Sequence, residues 1–564
     1  MVTLSFAKEK LMQSLQSREE KGHNLGYDGV NQIRSARMVW LALFVAILLC
    51  GCSVGPNFVK PEAVVSPNWL DADDWRVKTG PAEYRNWWKA FNDPVLDRLI
   101  DQAYRGNLSL RVAGVRVMEA RAQLGIAVGR LYPQAQQASG SLQDVGTSER
   151  SAIGALLGSS PAPRVNNLFD YWQDQIGVSA SWEIDFWGKF RRAIESADAN
   201  LLATVADYDS ALVSLTADVT NSYIAIRTLE KRLSIARQNV ETQKESLKVT
   251  EDRFQYGMAS RLDVEQAKTL LNDTWASVPV LETQLRQAKN SLSLLLGMLP
   301  SDLSEVLEGS SEIPVSPPEI VVGIPNDLLR RRPDVRSAEY QAAAQSAQIG
   351  VAKADLYPAF SLTGMFGFLS TNVNDFKLSN MFDWNSRTFQ FGPSVQWNMF
   401  NYGRITNNVR MQDARFQQLL IAYQNTVLKA HKEVEDALVA FLKAQERVEF
   451  LTRSAAAAKT AFDLAVEQYR EGLKDFTTVL IAQQALLNEQ DNLTVTLGNL
   501  SSNLVGVYRG LGGGWEIRQG KELVPPEVKE EMAKRTNWGA LLAPASFEQL
   551  TSEERKSEIR LPEW

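Results

Sequence analysis

Residues 175–190, QIGVSASWEIDFWGKF, join the end of a strand pattern to the beginning of a long helical pattern. From Gln175 to Phe186, polar and apolar side chains alternate without a break. A period of two is typical of a β-strand that has water on one side and a protein core or lipid on the other. The stretch therefore predicts such a strand, which stops at Gly188, and a helix after it.

The same pattern returns 215 positions further on, so the chain is expected to be a tandem repeat. The matching residues are Trp182 and Trp397, Ile184 and Met399, Trp187 and Tyr402, Gly188 and Gly403, and Lys189 and Arg404. The offset continues to Gly257 and Gly472, and it becomes 225 upstream of the strands. One half must therefore carry ten further residues between Pro133 and Trp182.

The front of the chain indicates a lipoprotein signal. Residues 38–49 form an apolar run of roughly a dozen residues, which is too short to span a bilayer and suits a signal peptide. The sequence LCGC, ending at Cys52, closes this run. It looks like the bacterial motif that is cleaved before a cysteine, which then carries lipid. We expect a leader and signal peptide at 1–51 and a lipidated, extended segment at 52–92.

Each half is expected to contain one very long helix and a shorter return helix. Residues 189–254 contain no proline or glycine, and apolar side chains recur there at alternating spacings of three and four. At 1.5 Å per residue, such a helix would be roughly 100 Å long. The return helix should run from Ser260 toward Leu296, with a kink or a break at Pro279.

The second half should repeat this pair of helices over 404–469 and 477–504. A shorter helix should precede the strands of each half, at 93–130 and at 333–357. The repeats are therefore placed at 93–300 and 333–515, with a linker at 301–332 and a charged C-terminal periplasmic tail at 516–564.

Two strands are expected in each half, at 136–148 and 172–187 and at 359–370 and 387–400. Their apolar faces are rich in aromatic residues, which suits a lipid interface. Four strands cannot close a barrel, because about eight is the smallest number that encloses a filled interior. In lipid, each unpaired backbone group at an open edge would cost several kcal/mol. Chains must then share one barrel: two chains would give eight strands, and three would give twelve with room for a lumen.

Residue types exclude several function classes. The net charge of −6 argues against a nucleic-acid partner. His23 and His431 are the only histidines, so a histidine-based metal or catalytic site is not expected. Glu183 and Asp185 share one strand face and are interpreted as solvated residues that line a lumen rather than as a catalytic pair. The sequence predicts no enzyme, and no cofactor beyond the covalent lipid on Cys52.

Several motifs together resemble outer-membrane efflux factors of the TolC/OprM type, in the NodT-like lipoprotein branch. They are the lipobox, GPNF at 55–58, LLRRRPDV at 328–335, the two Leu-Tyr-Pro sequences and WEIDFWG at 182–188. The likeness covers nearly all of residues 52–515. No single motif is specific, but the combination is.

The resemblance implies a homotrimeric α+β membrane protein. Four strands per chain would contribute to a twelve-stranded β-barrel in the outer membrane, continued by a long periplasmic barrel of coiled-coil helices. It implies a passive exit duct for drugs or small solutes in a tripartite pump, with a periplasmic adaptor and an inner-membrane RND-type transporter as partners. A type I secretion channel and a non-transporting lipoprotein scaffold across the periplasm stay open as alternatives.

In this family the helix turns close the tunnel at its periplasmic tip, and constriction rings lie just after the second turn. The turns here contain Gly257 and Gly472, which we expect to face the adaptor. The gate candidates at matching positions are Asp263, Asp475, Thr477, Thr478 and Ile481. The three positions that map to the rings, 477, 478 and 481, are not acidic, which departs from the family pattern. Ordinary turn residues are the alternative interpretation.

Overall fold

The computed structural model describes residues 53–62, 65–80, 84–146, 148, 169–327, 331–373 and 376–543. The expected signal peptide and Cys52 lie outside these residues. The chain divides into two compact units. The first unit combines the residues up to 57 with 127–194 and 347–412, and the second combines 58–126, 195–346 and the residues from 413 onward.

The tandem repeat is visible in the lengths of the helices. The α-helices are α1 (Pro94–Gly106), α2 (Leu108–Gly129), α3 (Lys189–Gln255), α4 (Arg261–Leu295), α5 (Pro333–Ala354), α6 (Arg404–Arg470), α7 (Phe476–Gly510) and α8 (Pro526–Arg535). The long helices α3 and α6 have 67 residues each, and the return helices α4 and α7 have 35 each. The predicted helix pairs are therefore confirmed.

The apolar seam predicted for α3 faces the protein interior. Leu212, Val219 and Ile226 are fully buried, and Val240 is nearly so. The core of the second unit contains the part of this seam from Leu212 to Ile226, together with residues of α1, α6 and α7. Burial of the repeating apolar side chains, rather than helix propensity, thus stabilises so long a helix.

Of the kink or break expected at Pro279, the break does not occur, because α4 continues through the proline. Proline removes one backbone N–H and crowds the preceding turn, but a helix survives when packing holds both sides of it. Val278 and Leu281 flank the proline and are buried against Leu233 and Ala236 of α3.

The single helix expected at 93–130 is also wrong, because Asn107 divides it into α1 and α2. Asn107 is extended, with φ −65° and ψ 120°. Its side-chain oxygen accepts from the Leu110 N–H at 2.9 Å, and its amide donates to the Leu295 carbonyl at 2.9 Å. An asparagine that caps a helix in this way competes with a continuous helix.

Two sheets are present among the described residues. The strands are β1 (Val77–Thr79), β2 (Ala135–Gly146), β3 (Asp170–Ile184), β4 (Ile320–Val322), β5 (Ala359–Thr371) and β6 (Arg387–Gln396). The larger sheet has the order β2-β3-β5-β6, and every neighbouring pair in it is antiparallel. The small parallel pair of β1 and β4 was not predicted, because three residues carry too little pattern.

The segment after α7 is folded as far as it is described. Val524 and Met532 of this segment are buried against Met118 of α2. Arg121 of α2 donates to the Leu541 carbonyl at 2.7 Å. The part of this segment from Val524 to Leu541 therefore packs on α2. Residues 544–564 of the expected tail lie outside the described residues.

Candidate functional site

The four-stranded sheet carries one continuous apolar face. Val178 of β3 lies opposite Phe366 of β5, which lies opposite Phe389 of β6. The other rows of this face are Ile176–Phe368–Arg387, Ala180–Gly364–Phe391, Trp182–Leu362–Pro393 and Ile184–Phe360–Val395. Paired residues point to the same side of a sheet, so the apolar character extends across three strands.

This apolar face is uncovered in the single chain. Phe389, Phe391 and Val395 are 70%, 74% and 63% exposed. Val178 is 56% exposed in the middle of β3. Large contiguous apolar surfaces of this kind mark contact with another protein or with lipid.

The opposite face of the sheet is polar. Its rows include Ser139–Gly177–Gly367–Thr388, Gln137–Ser179–Met365–Gln390 and Glu183–Ser361–Ser394. The sheet is therefore apolar on one side and hydroxyl- and amide-rich on the other, as the alternation in the sequence predicted.

The interpretation of Asp185 as a solvated residue is wrong. Its carboxylate side chain is only 7% exposed. It accepts from the backbone N–H groups of Phe190 at 3.0 Å and Arg191 at 2.9 Å, so it satisfies the first turn of α3. Glu183 remains partly exposed, 3.8 Å from Lys189.

The two repeats attach their strands to their helices in the same way. The indole N–H of Trp182 donates to the Leu131 carbonyl at 3.1 Å. Its counterpart Trp397 donates to the Leu356 carbonyl at 3.0 Å. Both carbonyls belong to the Leu-Tyr-Pro sequences, so these motifs receive a strand-end tryptophan in each half.

The residues that follow Cys52 are held against the junction of β3 and α3. The Val54 N–H donates to the Trp187 carbonyl at 3.0 Å. Arg192 of α3 donates to the Asn57 side chain at 2.7 Å. Gly55 has φ +102°, and a Cβ there would lie 2.5 Å from the Gly350 Cα. The fit leaves no room for a side chain at Gly55.

Both helix turns end their long helix with the same backbone motif. Gly257 has φ 72° and Gly472 has φ 79°. The Met258 N–H donates to the Arg253 carbonyl at 2.7 Å, and the Leu473 N–H donates to the Gln468 carbonyl at 2.9 Å. These six-to-one hydrogen bonds, with glycine in the left-handed region, are Schellman motifs.

The acidic gate candidates cap the return helices. Asp263 accepts from the Ser260 N–H at 2.8 Å, while Ser260 Oγ accepts from the Asp263 N–H at 3.1 Å. Asp475 accepts from both the N–H and the hydroxyl of Thr478, at 3.1 and 2.7 Å. These bonds from Thr478 lower the pKa of Asp475. Three candidates are thereby engaged in local hydrogen bonds.

The other two candidates point outward. Ile481 is 63% exposed, and Thr477 is also exposed. They lie four residues apart and therefore share one face of α7. The structure thus separates the exposed pair Thr477 and Ile481 from the capping residues, although all five lie at the two turns.

Arg253 is a contact residue at the turns that the sequence did not reveal. It donates to the Tyr469 carbonyl at 2.7 Å and to the Arg470 carbonyl at 3.0 Å, and its guanidinium lies 4.7 Å from the Tyr469 ring centroid. A cation there adds charge-assisted hydrogen bonds to carbonyls at the negative end of α6. No local pattern could have found it, because the partners are 216 and 217 positions away.

A buried charge cluster was also missed. Asp209 of α3 is fully buried and forms ion pairs with Arg518 and with Arg336 of α5, the latter at 3.6 Å. Burial raises the pKa of Asp209, and the two arginines oppose that shift. The cluster ties the segment after α7 to α3 and α5 within the second unit.

The RRPDV part of the sequence motif has a structural role in the same unit. Arg332 donates to the Gly510 carbonyl at the end of α7 at 2.7 Å and pairs with Asp334 at 2.6 Å. It also lies 2.9 Å from Glu433 of α6.

Within the described ranges, no group of side chains could hold a metal ion. None of the helices described there combines the length and the apolar content that a membrane crossing requires.

The structure defines a tandem-repeat α+β protein with long antiparallel helices and a sheet that has one exposed apolar face. The chain belongs to the outer membrane efflux protein family, whose model matches residues 99–298 and 324–513. It is therefore a protein of the outer membrane, in a family of efflux channels rather than of enzymes. The predicted family and fold class are confirmed.

The relatives include known efflux components. The chain is 30% identical to the solvent efflux pump outer membrane protein SrpC of Pseudomonas putida, over 85% of this chain and 99% of that one. It is 31% identical to the pyoverdine export outer membrane protein OpmQ of Pseudomonas aeruginosa, over 85% and 98%. The solved outer-membrane channel OprN matches with a TM-score of 0.75 and 32% identity, over 82% of this chain and all of that one.

Proposed function

We propose that this chain forms the outer-membrane exit duct of a tripartite efflux pump, as a homotrimer whose sheets close one twelve-stranded barrel. The observation that carries the proposal is the sheet, with an exposed apolar face, a polar face and two open edges at β2 and β6. Open edges are costly in lipid, and pairing β6 of one copy with β2 of the next removes them. Twelve strands leave a water-filled interior, whereas eight do not.

A stripe on α6 supports self-association. Its members are exposed in the single chain and apolar: Ile421, Leu428, Val439, Phe450 and Leu464. They follow one another at seven, eleven, eleven and fourteen positions, and these intervals return to the same side of a helix. We assign this stripe to the contact with a neighbouring copy, because association of chains would cover apolar side chains that the single chain leaves exposed.

The N-terminal contacts support a lipid anchor on Cys52. Ser53 lies against Gly188, where a Cβ would be 2.8 Å from the Ser53 Cα. Gly188 follows the aromatic end of β3, and aromatic residues of barrels gather at the membrane interface. Acyl chains on Cys52 would then start at the periplasmic edge of the barrel and enter the inner leaflet.

Replacing Cys52 with alanine should remove this lipid without removing the barrel. The C52A protein, exported on a cleavable non-lipoprotein signal, should remain in the membrane fraction after a high-salt wash. A matched variant that also carries Phe389→Asp and Phe391→Asp should leave the membrane, because it places charge on the lipid face. A wholly soluble C52A protein would contradict the barrel.

The turns at Gly257 and Gly472 are proposed to contact a periplasmic adaptor, and Thr477 and Ile481 to form the constriction. The names of the relatives, which mention solvents and pyoverdine, support small solutes as cargo. A passive duct takes its energy from an inner-membrane transporter, for which we propose the RND class. The boundaries at 93–300 and 333–515 remain predictions.

The test is photocrosslinking in intact cells from a reactive amino acid at Lys474, which is exposed beside the second turn. The control position is Lys459, which is also exposed but lies about three turns before the end of α6. Capture of an adaptor from Lys474 and not from Lys459 would support the pump. Capture of an ABC transporter complex would favour type I secretion, and absence of any adaptor in cells that express one would favour the scaffold.

A further inference from the structure

One face of α7 is exposed and carries no charge. The residues of α7 between Phe476 and Tyr508 that are exposed are Thr477, Ile481, Gln484, Ala485, Asn488, Asn492 and Asn499. Apart from Ala485, they follow one another at four, three, four, four and seven positions, so they form one line along the helix. The line consists of hydroxyl and amide side chains, with Ile481 as its one large apolar member.

The other helices of the second unit expose many charges. The return helix α4 has the same length as α7, and its exposed charged residues are Arg261, Glu265, Asp273, Glu282 and Arg286. The exposed faces of α6 carry several ion pairs, such as Lys459 with Asp463 at 3.3 Å. A helix face that meets bulk solvent is usually charged, so the neutral line on α7 requires another explanation.

The charged residues of α7 are paired, not exposed, or located beyond the line. Asp491 lies next to the line and forms a two-fold contact with Arg232 of α3, at 2.7 and 3.0 Å. Glu489 is not among the exposed residues. Arg509 lies beyond the line, 3.8 Å from Asp218. No exposed residue of α7 between Phe476 and Tyr508 therefore carries a charge.

We infer that this face of α7 is a neutral wall of the duct, and that the duct passes cationic, anionic and uncharged solutes alike at its narrow end. The inference rests on the proposed function, since the line needs three copies around one axis. Amide and hydroxyl groups keep water in the passage and exchange hydrogen bonds with solutes of either sign. Because the line itself carries no fixed charge, it presents no electrostatic barrier to solutes of one sign.

Thiol chemistry tests the inference in the assembled full-length protein in lipid nanodiscs. Gln484→Cys places a reactive group on the line, and Gln287→Cys places one on the exposed part of α4 as a control. Each is treated at low salt with a cationic and an anionic methanethiosulfonate of similar size. The rate ratio of the two reagents at position 484 should agree within about twofold with that of free cysteine in the same buffer, because a neutral wall exerts no local field on the thiol.

A second variant measures how strongly one fixed charge beside the thiol changes the ratio of the two reaction rates. Ile481→Asp, combined with Gln484→Cys, adds one carboxylate per copy beside the thiol and should raise the cation-to-anion ratio several-fold. The same change paired with Gln287→Cys should leave the ratio unaltered. A strong preference for one sign without the aspartate, or an unreactive thiol at 484, would overturn the inference. A protein that does not form trimers would instead overturn the proposed function.

Discussion

The return helices α4 and α7 occupy the same position in the two repeats but meet different surroundings. Both have 35 residues, and both begin at an equivalent cap, Ser260 in α4 and Asp475 in α7. Yet seven residues of α4 are buried in the single chain, against thirteen of α7. The positions of Arg261 and Arg286 in α4 are taken in α7 by Phe476 and Ser501, which are 2% exposed.

The difference shows how a duplicated element acquires two roles. The charged positions of α4 keep one side of it in bulk solvent, whereas α7 is packed on more sides and exposes only a neutral line. The exposed Asp273 of α4 corresponds to Asn488 on that line. A sequence repeat therefore fixes the backbone of both helices, and substitutions at equivalent positions decide what each helix faces.

The largest effect on the stability of the fold is expected from a substitution at Gly498, where α7 packs on α3. A Cβ there would lie 2.3 Å from Thr228 Oγ1. Gly498→Leu should lower the free energy of unfolding by about 3 kcal/mol or prevent assembly, because the core cannot accommodate the added atoms. Asn499→Leu, on the neighbouring exposed position, should change it far less. Thermal unfolding of the purified protein measures both, and equal loss would show that α7 is not embedded as described.

A smaller effect on stability is expected when the ion pair between α3 and α7 is removed. Arg232→Gln leaves Asp491 unpaired beside the neutral line, in a partly exposed site where an ion pair contributes about 0.5–1 kcal/mol. The melting temperature should fall slightly, and the cation-to-anion ratio at a Gln484→Cys thiol should rise. Arg237→Gln, which removes the Glu282 partner on α4, is the control and should not alter that ratio. A rise in both variants would remove the distinction between the two helices.

The stabilisation that the helix caps Ser260 and Asp475 provide should depend differently on pH. Ser260→Ala removes a hydroxyl cap and should cost about 1 kcal/mol at every pH. Asp475 has a lowered pKa in the folded chain, so its contribution is present above the unfolded pKa of about 4 and is lost as pH falls through the folded pKa. Asp475→Asn should therefore weaken the protein slightly at pH 7 and less at acidic pH. Chemical denaturation at the two pH values measures this, and a loss that persists at low pH would contradict the cap.

Patterns along the chain predicted the helices and the larger sheet well, because both depend on local periodicity. The stretch without proline or glycine placed α3 within a residue of its observed end. Strict alternation placed β3 and β5 and the faces of the sheet. The break at Pro279 was overestimated because the packing of Val278 and Leu281 is not visible in local sequence. The division of the first helix at Asn107 was missed because one of the partners that hold Asn107, Leu295, is distant in sequence.

The candidate site was predicted only in part. The glycine turns were located from their sequence, and the two capping aspartates were found without their roles. The neutral line on α7 could have been found from the spacing of Gln484, Asn488 and Asn492. Arg253 and Asp209 could not, because their partners lie more than 100 positions away.

Closure of one barrel by several copies is the central claim, and thiol crosslinking between sheet edges tests it most directly. Gln137 of β2 and Gln390 of β6 lie in the same row on the polar face, at opposite edges of the sheet. A chain with cysteine at both positions, treated with a bifunctional maleimide in native outer membranes, should give covalent trimers as the largest species. Cysteines at Gln137 and Ser179, which are neighbours within one chain, should give monomers. Monomers alone from the edge pair, or an open ladder beyond the trimer, would contradict the account.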